Sequence, residues 1–412
     1  MSSLHRKIAL RLVPFLVLLY MVAFLDRVNI SFAALTMNRD LGISERLYGF
    51  AAGVFFLGYC LFEVPANIML ARIGARRWIA ALLIAWGAIS VLTAFVPNRT
   101  VYVAARFLLG VAEAGFYPGV LFYLTLWLPR SVRTRVMAQF MLAIPVVSCI
   151  GSPISSHILL MDQIAGLKGW QWLFLLEGSP ALFLGIATWF ILADGPDSAS
   201  WLSTAEKAQL ADELRESAQP AHNTVAVWAS TARDSAAYFL FSTALYGLSF
   251  WLPKILASAG VSRTATGWWA AVPYAAAVLA MYLAGRATRG AWLRVMYLVA
   301  AAGYAGVALF PARGVALASF SVAAAGVFAV LPLFWAAATS RMSSRIAGAA
   351  IAIINSVGAI GAFAGPFAMG WLHDVTRSYS AGLWAIAACM VLGALIVSGT
   401  QSPREPVAAL AN

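Results

Sequence analysis

Long apolar runs that carry almost no charge are the feature that most restricts how this chain can fold. Hydrophobic residues make up 62% of the 412 residues, and charged residues only 11%. A helix needs about 20 apolar residues to cross about 30 Å of hydrocarbon, where no water can satisfy an exposed backbone. The sequence therefore predicts an all-α membrane protein with twelve transmembrane helices. The twelve runs are residues 13–35, 48–70, 78–97, 100–128, 136–160, 170–193, 231–256, 265–286, 292–311, 314–339, 346–371 and 381–400.

The net charge of +12 is explained by where the basic residues lie. If the N-terminus is placed in the cytoplasm, 18 of the 28 Lys and Arg residues fall on the cytoplasmic side. Eight fall on the other side and two inside the membrane. Cytoplasmic loops of membrane proteins are enriched in basic residues. We therefore expect both termini in the cytoplasm and no nucleic-acid partner.

One substantial polar stretch separates the runs into two groups of six. It contains the pattern Ser203-x-x-Glu206, which is typical of the start of a helix. We predict a cytoplasmic linker over residues 194–229 that includes a short amphipathic helix. Residues 1–193 and 230–412 then form two six-helix bundles, and transporters built from two such halves bind substrate between them.

Opposite charges stand inside the fourth run and inside the first. Arg106 and Glu113 are seven residues apart, about 10 Å along one face of a helix. A charge at the bilayer centre costs roughly 2.5–3.5 kcal/mol, so both should face a bundle interior or a water-filled cavity. Asp26 and Arg27 are adjacent, and neighbouring helical residues point about 100° apart. One of them can therefore reach Arg106 or Glu113 while the other faces a cavity.

Such a set of charges suits the coupling of an anion to protons. A guanidinium binds a carboxylate in bidentate fashion. An anion that occupies an arginine removes the partner of a neighbouring carboxyl, which then takes up a proton. A static set of ion pairs between helices is the alternative interpretation.

Aromatic side chains are candidates for the remaining walls of an anion pocket, because the second half of the chain offers few ionisable groups. For each of them, packing against lipid or the protein core is the alternative. Tyr59, Tyr117, Tyr246 and Trp251 are the candidates that we predict to contact substrate. The full set is Tyr59, Phe116, Tyr117, Tyr123, Tyr246, Phe250, Trp251, Tyr274 and Trp335.

The sequence contains none of the short motifs that mark soluble enzymes. It has no P-loop, no dinucleotide-binding fingerprint, no HExxH and no GxSxG. Its three cysteines fall inside apolar runs, and its four histidines are scattered. We therefore expect neither enzymatic activity, nor a cofactor, nor a metal site.

Seven stretches of the sequence match the motifs of one known protein family. They are LDRVNISFA (25–33), GYCLFEVPANIMLARIGARRW (58–78), RFLLGVAEAGFYPGVLFYLTLWLPRSVRTR (106–135), GWQWLFLLEGSPA (169–181), WLSTAEK (201–207), LYGLSFWLPKI (245–255) and INSVGAIGAFAGPF (354–367). With these stretches the chain resembles, over essentially its whole length, the anion:cation symporters of the major facilitator superfamily. The resemblance is to the branch of tartrate, phthalate and hydroxyphenylacetate permeases.

The resemblance implies a twelve-helix transporter of the major facilitator fold that works by alternating access and imports an organic anion with protons. It implies that Asp26 and Glu113 carry the protons and that Arg106 is the fourth-helix arginine of the coupling motif. It further implies that Arg27 binds the substrate carboxylate. Tyr59 lines the same cavity in this comparison, and Asn355 matches a polar position that contacts substrate.

Three positions depart from the family pattern. Ala71 stands where the loop after the second helix carries an acid, and the corresponding loop in the second half has Thr288 in place of an acid. These acids are expected to hold the cytoplasmic face closed, so we hypothesise that the conformational equilibrium leans towards the inward-open state. Ala359 stands where relatives often carry an asparagine, so a polyhydroxy-acid specificity is not carried over from the family.

The leading interpretation is a proton-coupled importer of a small carboxylate, tartrate-like or aromatic. We expect a monomer embedded in the lipid bilayer of a bacterial inner (plasma) membrane. Two alternatives stay open: an exporter of anionic metabolites or drugs, and a non-transporting membrane sensor on the same scaffold.

Overall fold

The computed structural model describes residues 2–216, 225–286, 291–310, 312–340 and 344–398. These residues form α-helices joined by short loops, with no β-strand among them. The helices are α1 Ser3–Val28, α2 Ile30–Asp40, α3 Glu45–Ile73, α4 Ala75–Thr93, α5 Arg99–Glu113, α6 Phe116–Trp127, α7 Arg130–Ile158, α8 Gly169–Ile191, α9 Thr204–Glu216, α10 Val225–Ser258, α11 Arg263–Ala284, α12 Ala291–Leu309, α13 Arg313–Ser340, α14 Ser344–Thr376 and α15 Ser380–Ser398.

Twelve helical segments in the described part of the chain are long and apolar enough to cross a membrane, as the sequence predicts. The first combines α1 and α2 over Ser3–Asp40, and the fourth combines α5 and α6 over Arg99–Trp127. Six segments precede the polar helix α9 and six follow it. The chain is therefore an all-α multi-pass membrane protein.

The first helix begins well before the apolar run that starts at residue 13. Ser2 Oγ accepts a hydrogen bond from the backbone N–H of His5 at 3.2 Å and so caps the first turn of α1. The additional turns carry Arg6, Lys7 and Arg11, all exposed. A run of apolar residues therefore predicts the membrane-spanning part of this helix but not its polar extension.

Two helix pairs form most of the contact between the first half of the chain and the second half. α3 packs along α14, and α7 packs along α11. At Gly53 of α3, an added Cβ would lie 2.8 Å from the backbone oxygen of Phe363 on α14. Small residues permit such close approach of membrane helices, so this glycine brings the two halves into direct backbone contact.

We call the membrane face that carries the start of α1 and helix α9 the N-terminal face, and the other one the opposite face. At the opposite face, Lys254 Nζ of α10 lies 2.6 Å from Glu45 Oε2 of α3. The hydroxyl of Tyr48 donates a hydrogen bond to the backbone oxygen of Phe250 at 2.7 Å. These contacts between halves close the space between the two bundles on that side.

Helix α9 lies against the start of α1. The predicted capping box is present: Ser203 Oγ accepts from the backbone N–H of Glu206 at 3.2 Å, and Glu206 Oε2 accepts from the backbone N–H of Ser203 at 2.8 Å. Lys7 Nζ lies 2.8 Å from Glu206 Oε2, and His5 Nε2 lies 2.6 Å from Glu213 Oε2. The Lys7 ammonium and the Ser203 N–H hold the pKa of the Glu206 carboxyl below its ordinary value. These contacts fasten α9 to the first half of the chain.

Candidate functional site

A central cavity lies between the two halves of the chain and is lined by both. Seven of the lining side chains are aromatic, and Arg27 is the one charged residue among the described residues that line it. The lining residues are Tyr20, Arg27, Phe56, Tyr59, Tyr117, Met141, Ile144, Tyr238, Ser242, Leu245, Tyr246, Leu331, Trp335, Asn355, Gly358, Ala359 and Ala362.

Arg27, in the last turn of α1, connects a carboxylate of the first half with a hydroxyl of the second. Its Nη2 donates to Glu113 Oε2 at 2.6 Å, and its Nη1 donates to the hydroxyl oxygen of Tyr246 at 3.2 Å. The guanidinium also lies over two rings, 5.1 Å from the centre of Phe55 and 5.7 Å from that of Tyr59. A planar cation held by one carboxylate and by ring faces can exchange that carboxylate for another anion.

Glu113 ends α5 and is completely buried. Its Oε2 accepts the hydrogen bond from Arg27, whereas its Oε1 has no hydrogen-bond partner within the described residues. A buried carboxylate is costly unless a positive charge or hydrogen bonds offset its loss of hydration. The charge of Glu113 therefore depends on its contact with Arg27.

Arg106 lies two turns before Glu113 and is also buried. Its Nη2 donates to the backbone oxygen of Arg27 at 3.3 Å, and its guanidinium lies 5.3 Å from the ring centre of Phe55. Its Nε and Nη1 have no partner in the part of the chain that is described. Arg106 thus supports the backbone that carries Arg27 and supplies positive charge behind the cavity wall.

Asp26 points away from the cavity, as its position next to Arg27 on a helix requires. Its Oδ1 accepts hydrogen bonds from Ser90 Oγ at 2.9 Å and from Asn29 Nδ2 at 3.5 Å. Its Oδ2 has no partner among the described residues, and the side chain is completely buried. In this conformation Asp26 is separated from the cavity by α1 itself.

Of the residues predicted to bind substrate, Arg27, Tyr59, Tyr117, Tyr246 and Asn355 all line the cavity. Their roles as substrate ligands remain predictions.

Trp251 is the exception, because it does not line the cavity. It is fully buried, and its Nε1 donates to the backbone oxygen of Pro366 at 3.2 Å. Its ring packs edge-on against Tyr48 at 5.1 Å. Trp251 therefore belongs to the contact between α10 and its neighbours at the opposite face.

Sequence reasoning missed Tyr20, Phe56 and Tyr238 as cavity residues. Helical spacing was the signal for Tyr20, because it precedes Arg27 by seven residues and so lies two turns away on the same face of α1. Phe56 precedes Tyr59 by three residues, so the two side chains lie on the same face of α3.

Of the three positions that depart from the family pattern, Ala71 lies at the N-terminal face and Ala359 lines the cavity. Ala71 is exposed near the end of α3. Arg76, just beyond it, pairs with Asp194, with 2.9 Å between Nη2 and Oδ2. Thr288 lies outside the described residues. Our hypothesis about the conformational equilibrium is thus a prediction for experiment.

The sequence profile of the Major Facilitator Superfamily matches residues 16–366. The chain is 44% identical over 403 residues to a protein of Agrobacterium vitis named "Putative tartrate transporter". The alignment covers 95% of this chain and 93% of that protein. It is 36% identical over 404 residues to the "Quinolone resistance transporter" of Acinetobacter baumannii, over 95% of this chain and 93% of that protein.

Among solved structures, the chain is similar to the xylose transporter XylE of E. coli in its inward-open conformation. The TM-score is 0.76 at 16% sequence identity, over 96% of this chain and 97% of that one. At this identity the likeness shows a shared fold and carries no information on substrate.

Proposed function

This chain belongs to the Major Facilitator Superfamily, in the anion-transporter branch that its motifs resemble, and on that premise we propose that it imports a small organic anion together with protons by alternating access. Family and fold are those of transporters rather than enzymes. The observation that carries the proposal is the position of Arg27. It is the charged residue of the central cavity, and it contacts both the buried Glu113 carboxylate and Tyr246 of the other half.

The proposed coupling follows from the charges around Arg27. A substrate carboxylate in the cavity competes with Glu113 for the guanidinium, because both are anions that suit its planar fork. Once displaced, Glu113 is a buried carboxylate without a cation, and it becomes neutral by binding a proton at one of its oxygens. The anion and the proton are therefore bound together. The site then carries no additional net charge when the two halves move.

Membrane orientation and transport direction belong to the same proposal. The distribution of basic residues favours a cytoplasmic location for both termini, which makes the N-terminal face the cytoplasmic one. The contacts between halves at the opposite face then close the cavity from the outside. We propose that this conformation is the inward-facing one and that the membrane is a bacterial inner membrane.

The walls of the cavity favour a carboxylate with an apolar or aromatic body. One guanidinium suits one carboxylate, whereas Ser242 and Asn355 are the uncharged polar side chains other than tyrosines that line the cavity in the described residues. Ala359 lies on the wall where relatives often carry an asparagine. A substrate with several hydroxyl groups would depend on Ser242, Asn355 and the lining tyrosine hydroxyls to pair them, because a hydroxyl left unpaired against a ring costs binding.

Export of anionic metabolites or drugs is the second candidate. It is favoured by the 36% identity to the quinolone resistance transporter and by the aromatic character of the cavity. Import and export use the same site and differ in the direction of net flux.

The test is uptake of radiolabelled carboxylates into proteoliposomes with and without an inward proton gradient. The panel contains tartrate, benzoate and hydroxyphenylacetate. We expect gradient-driven accumulation of an aromatic member by the wild type. Glu113→Gln should abolish accumulation but retain exchange of labelled for unlabelled substrate. Glu206→Gln, at an acid of α9 remote from the cavity, is the matched control and should behave like the wild type.

Three results would contradict the proposal. Accumulation that does not respond to the proton gradient would rule out proton coupling. Gradient-driven accumulation in Glu113→Gln would remove that residue from the coupling. Efflux driven by the gradient, without uptake, would favour the exporter.

A further inference from the structure

The buried charges of the first half do not balance. Within the described residues, the membrane-spanning part of this half buries four carboxyl groups and one guanidinium group, that of Arg106, whereas the guanidinium of Arg27 is partly exposed at the cavity. Of these, Glu113 is paired with Arg27. Burial of the remaining carboxyls as anions would be costly, because water no longer solvates them. The four carboxyls are Asp26, Glu63, Glu113 and Glu177.

Glu177, on α8, is a buried carboxyl that the proposed transport cycle does not use. Its side chain is 3% exposed, and its Oε1 accepts a hydrogen bond from Ser155 Oγ of α7 at 2.6 Å. Its Oε2 has no hydrogen-bond partner among the described residues. No cation of the described residues lies within ion-pair distance of it. A neutral carboxylic acid fits these surroundings better than a carboxylate does.

Glu177 shares its compartment with Asp26. The next residue of α8, Gly178, packs so tightly on α4 that an added Cβ would lie 2.7 Å from Ser90 Oγ. The same Ser90 hydroxyl donates to Asp26 Oδ1 at 2.9 Å. Asn29, which is 1% exposed, has an Oδ1 without a partner in the described residues. None of these residues lines the central cavity.

Among the described residues, no charged side chain on the helices around this compartment forms an ion pair with Glu177 or Asp26. Asp40, at the end of α2, lies 3.1 Å from Lys168, the residue before α8. Arg76 of α4 pairs with Asp194 at the N-terminal face. Arg27 of α1 faces the cavity, and Arg106 of α5 donates to the Arg27 backbone.

We propose that Glu177 is a proton-binding site additional to Asp26 and Glu113. Its Oε2 holds a proton as an O–H group, and Asp26 Oδ2 is the equivalent position on the neighbouring carboxyl. Each proton taken up forms one O–H bond and removes one buried negative charge. The compartment thus keeps protons in the first half while the cavity exchanges its anion.

Infrared spectroscopy of the reconstituted protein tests this directly. Protonated carboxyl groups have a C=O stretching band that carboxylates lack and that shifts in D₂O. At pH 7, Glu177→Gln is expected to reduce the wild-type band by the intensity of one carboxyl. Glu206→Gln removes a partly exposed, ion-paired carboxylate and should leave the band unchanged. An equal band in Glu177→Gln and the wild type would overturn the proposal.

A second variant tests the proposal even if Glu177→Gln does not fold. Ser155→Ala keeps the carboxyl and removes its hydrogen-bond partner, so the same band should persist at a shifted frequency. An unshifted band in this variant would contradict the assignment to Glu177. If the band disappears in NaCl but not in choline chloride, the compartment binds a metal cation rather than a proton. That result would also overturn the proposal that Glu177 holds a proton.

This proposal goes beyond the transport proposal and does not depend on it, since the infrared band is measured without substrate. Exchange of labelled substrate by Glu177→Gln separates the two. If exchange persists while the band falls by the intensity of one carboxyl, Glu177 binds a proton without being needed for substrate binding.

Discussion

At the residue scale, the proposed mechanism assigns to the guanidinium of Arg27 both events that a coupled carrier has to link. It faces the cavity, where an anion can reach it, and it neutralises the buried Glu113 carboxylate. Phe55 and Tyr59 fix its plane through their ring faces. Charge alone would not reproduce this arrangement, because the fork geometry allows simultaneous contacts to Glu113 and Tyr246.

Arg27→Lys is therefore expected to weaken substrate binding about tenfold or more. Lysine keeps the charge but loses the fork, and one hydrogen bond to a charged group is worth about 1.5–3 kcal/mol. The measurement is KM for the transported carboxylate. Arg39→Lys, at an exposed arginine of α2, is the matched control. An unchanged KM in Arg27→Lys would remove the guanidinium from the substrate site.

Tyr246→Phe tests the contact across the cavity. The change removes the hydroxyl that accepts from Arg27 at 3.2 Å and keeps the ring that packs on Phe56 at 4.3 Å. We expect a several-fold rise in KM with the amount of folded protein unchanged, because one hydrogen bond is lost without a cavity. Tyr282→Phe, at an exposed tyrosine of α11, serves as control. Equal KM values in the two variants would show that the Tyr246 hydroxyl has no part in binding.

The sequence indicated which charged residues meet inside the membrane, but it was less informative about which aromatic side chains face the cavity. Arg27 and Glu113 meet as predicted, since few partners exist for charges inside a membrane. Trp251 follows Tyr246 by five residues, about 140° around the helix, so it points to a different neighbour. That angle is readable from the sequence, but the side of α10 that faces the cavity depends on how the two halves pack.

At the element scale, an ion pair connects α3 of the first half to α10 of the second. Lys254 is 8% exposed and lies 2.6 Å from Glu45, with its ammonium 4.8 Å from the ring centre of Tyr48. Opening at the opposite face would separate this pair. Breaking a partly buried pair costs several times the thermal energy, so the contact stabilises the conformation seen here.

Lys254→Met should shift the equilibrium towards the state that is open at the opposite face, by about tenfold or more. Spin labels at Arg46→Cys and Arg377→Cys, with the three native cysteines replaced, report the distance between α3 and the end of α14. We expect a longer-distance population to grow in Lys254→Met. Lys168→Met is the control, because Lys168 pairs with Asp40 within the first half. Identical distance distributions in the two variants would show that the pair does not gate this face.

The docking of α9 should depend on pH through Glu206. Because the folded-state pKa of Glu206 is lowered from 4.5, its contact with Lys7 contributes above that pH and is lost as the pH falls below it. Hydrogen exchange of α9, corrected for the chemical rate, should be slower in the wild type than in Lys7→Met at pH 6. The difference should vanish in strongly acidic buffer. A difference that persists after Glu206 is protonated would contradict the assignment.

The elements themselves were largely predictable. Twelve spanning segments follow from the apolar runs, and the start of α9 follows from its capping box. The break at Asn29 in the first segment was not predicted, since no proline or glycine marks it. The break at Ala114 and Gly115 in the fourth segment has a signal in the sequence, because Pro118 has no N–H to donate to the Ala114 carbonyl. Packing against neighbouring helices decides whether such a position bends.

At the scale of the whole molecule, the two faces differ in the contacts that join the two halves. Among the described residues, the Glu45–Lys254 ion pair joins the two halves at the opposite face. At the N-terminal face, Ala71 occupies the position where the family pattern has an acid, and it is exposed. The difference predicts that restoring a carboxylate at residue 71 will favour closure of the N-terminal face.

Ala71→Asp is the variant that tests this, with Ala359→Cys as a reporter inside the cavity and the native cysteines replaced. If the new carboxylate engages a basic residue of the second half, a membrane-impermeant maleimide should label the reporter about fivefold more slowly from the N-terminal face. That factor corresponds to about 1 kcal/mol, the usual upper value for an exposed ion pair. Ala71→Asn has a similar size without the charge and should label at the parental rate. Because the two variants differ in charge alone, equal labelling rates would mean that the missing acid does not set the balance between the two faces.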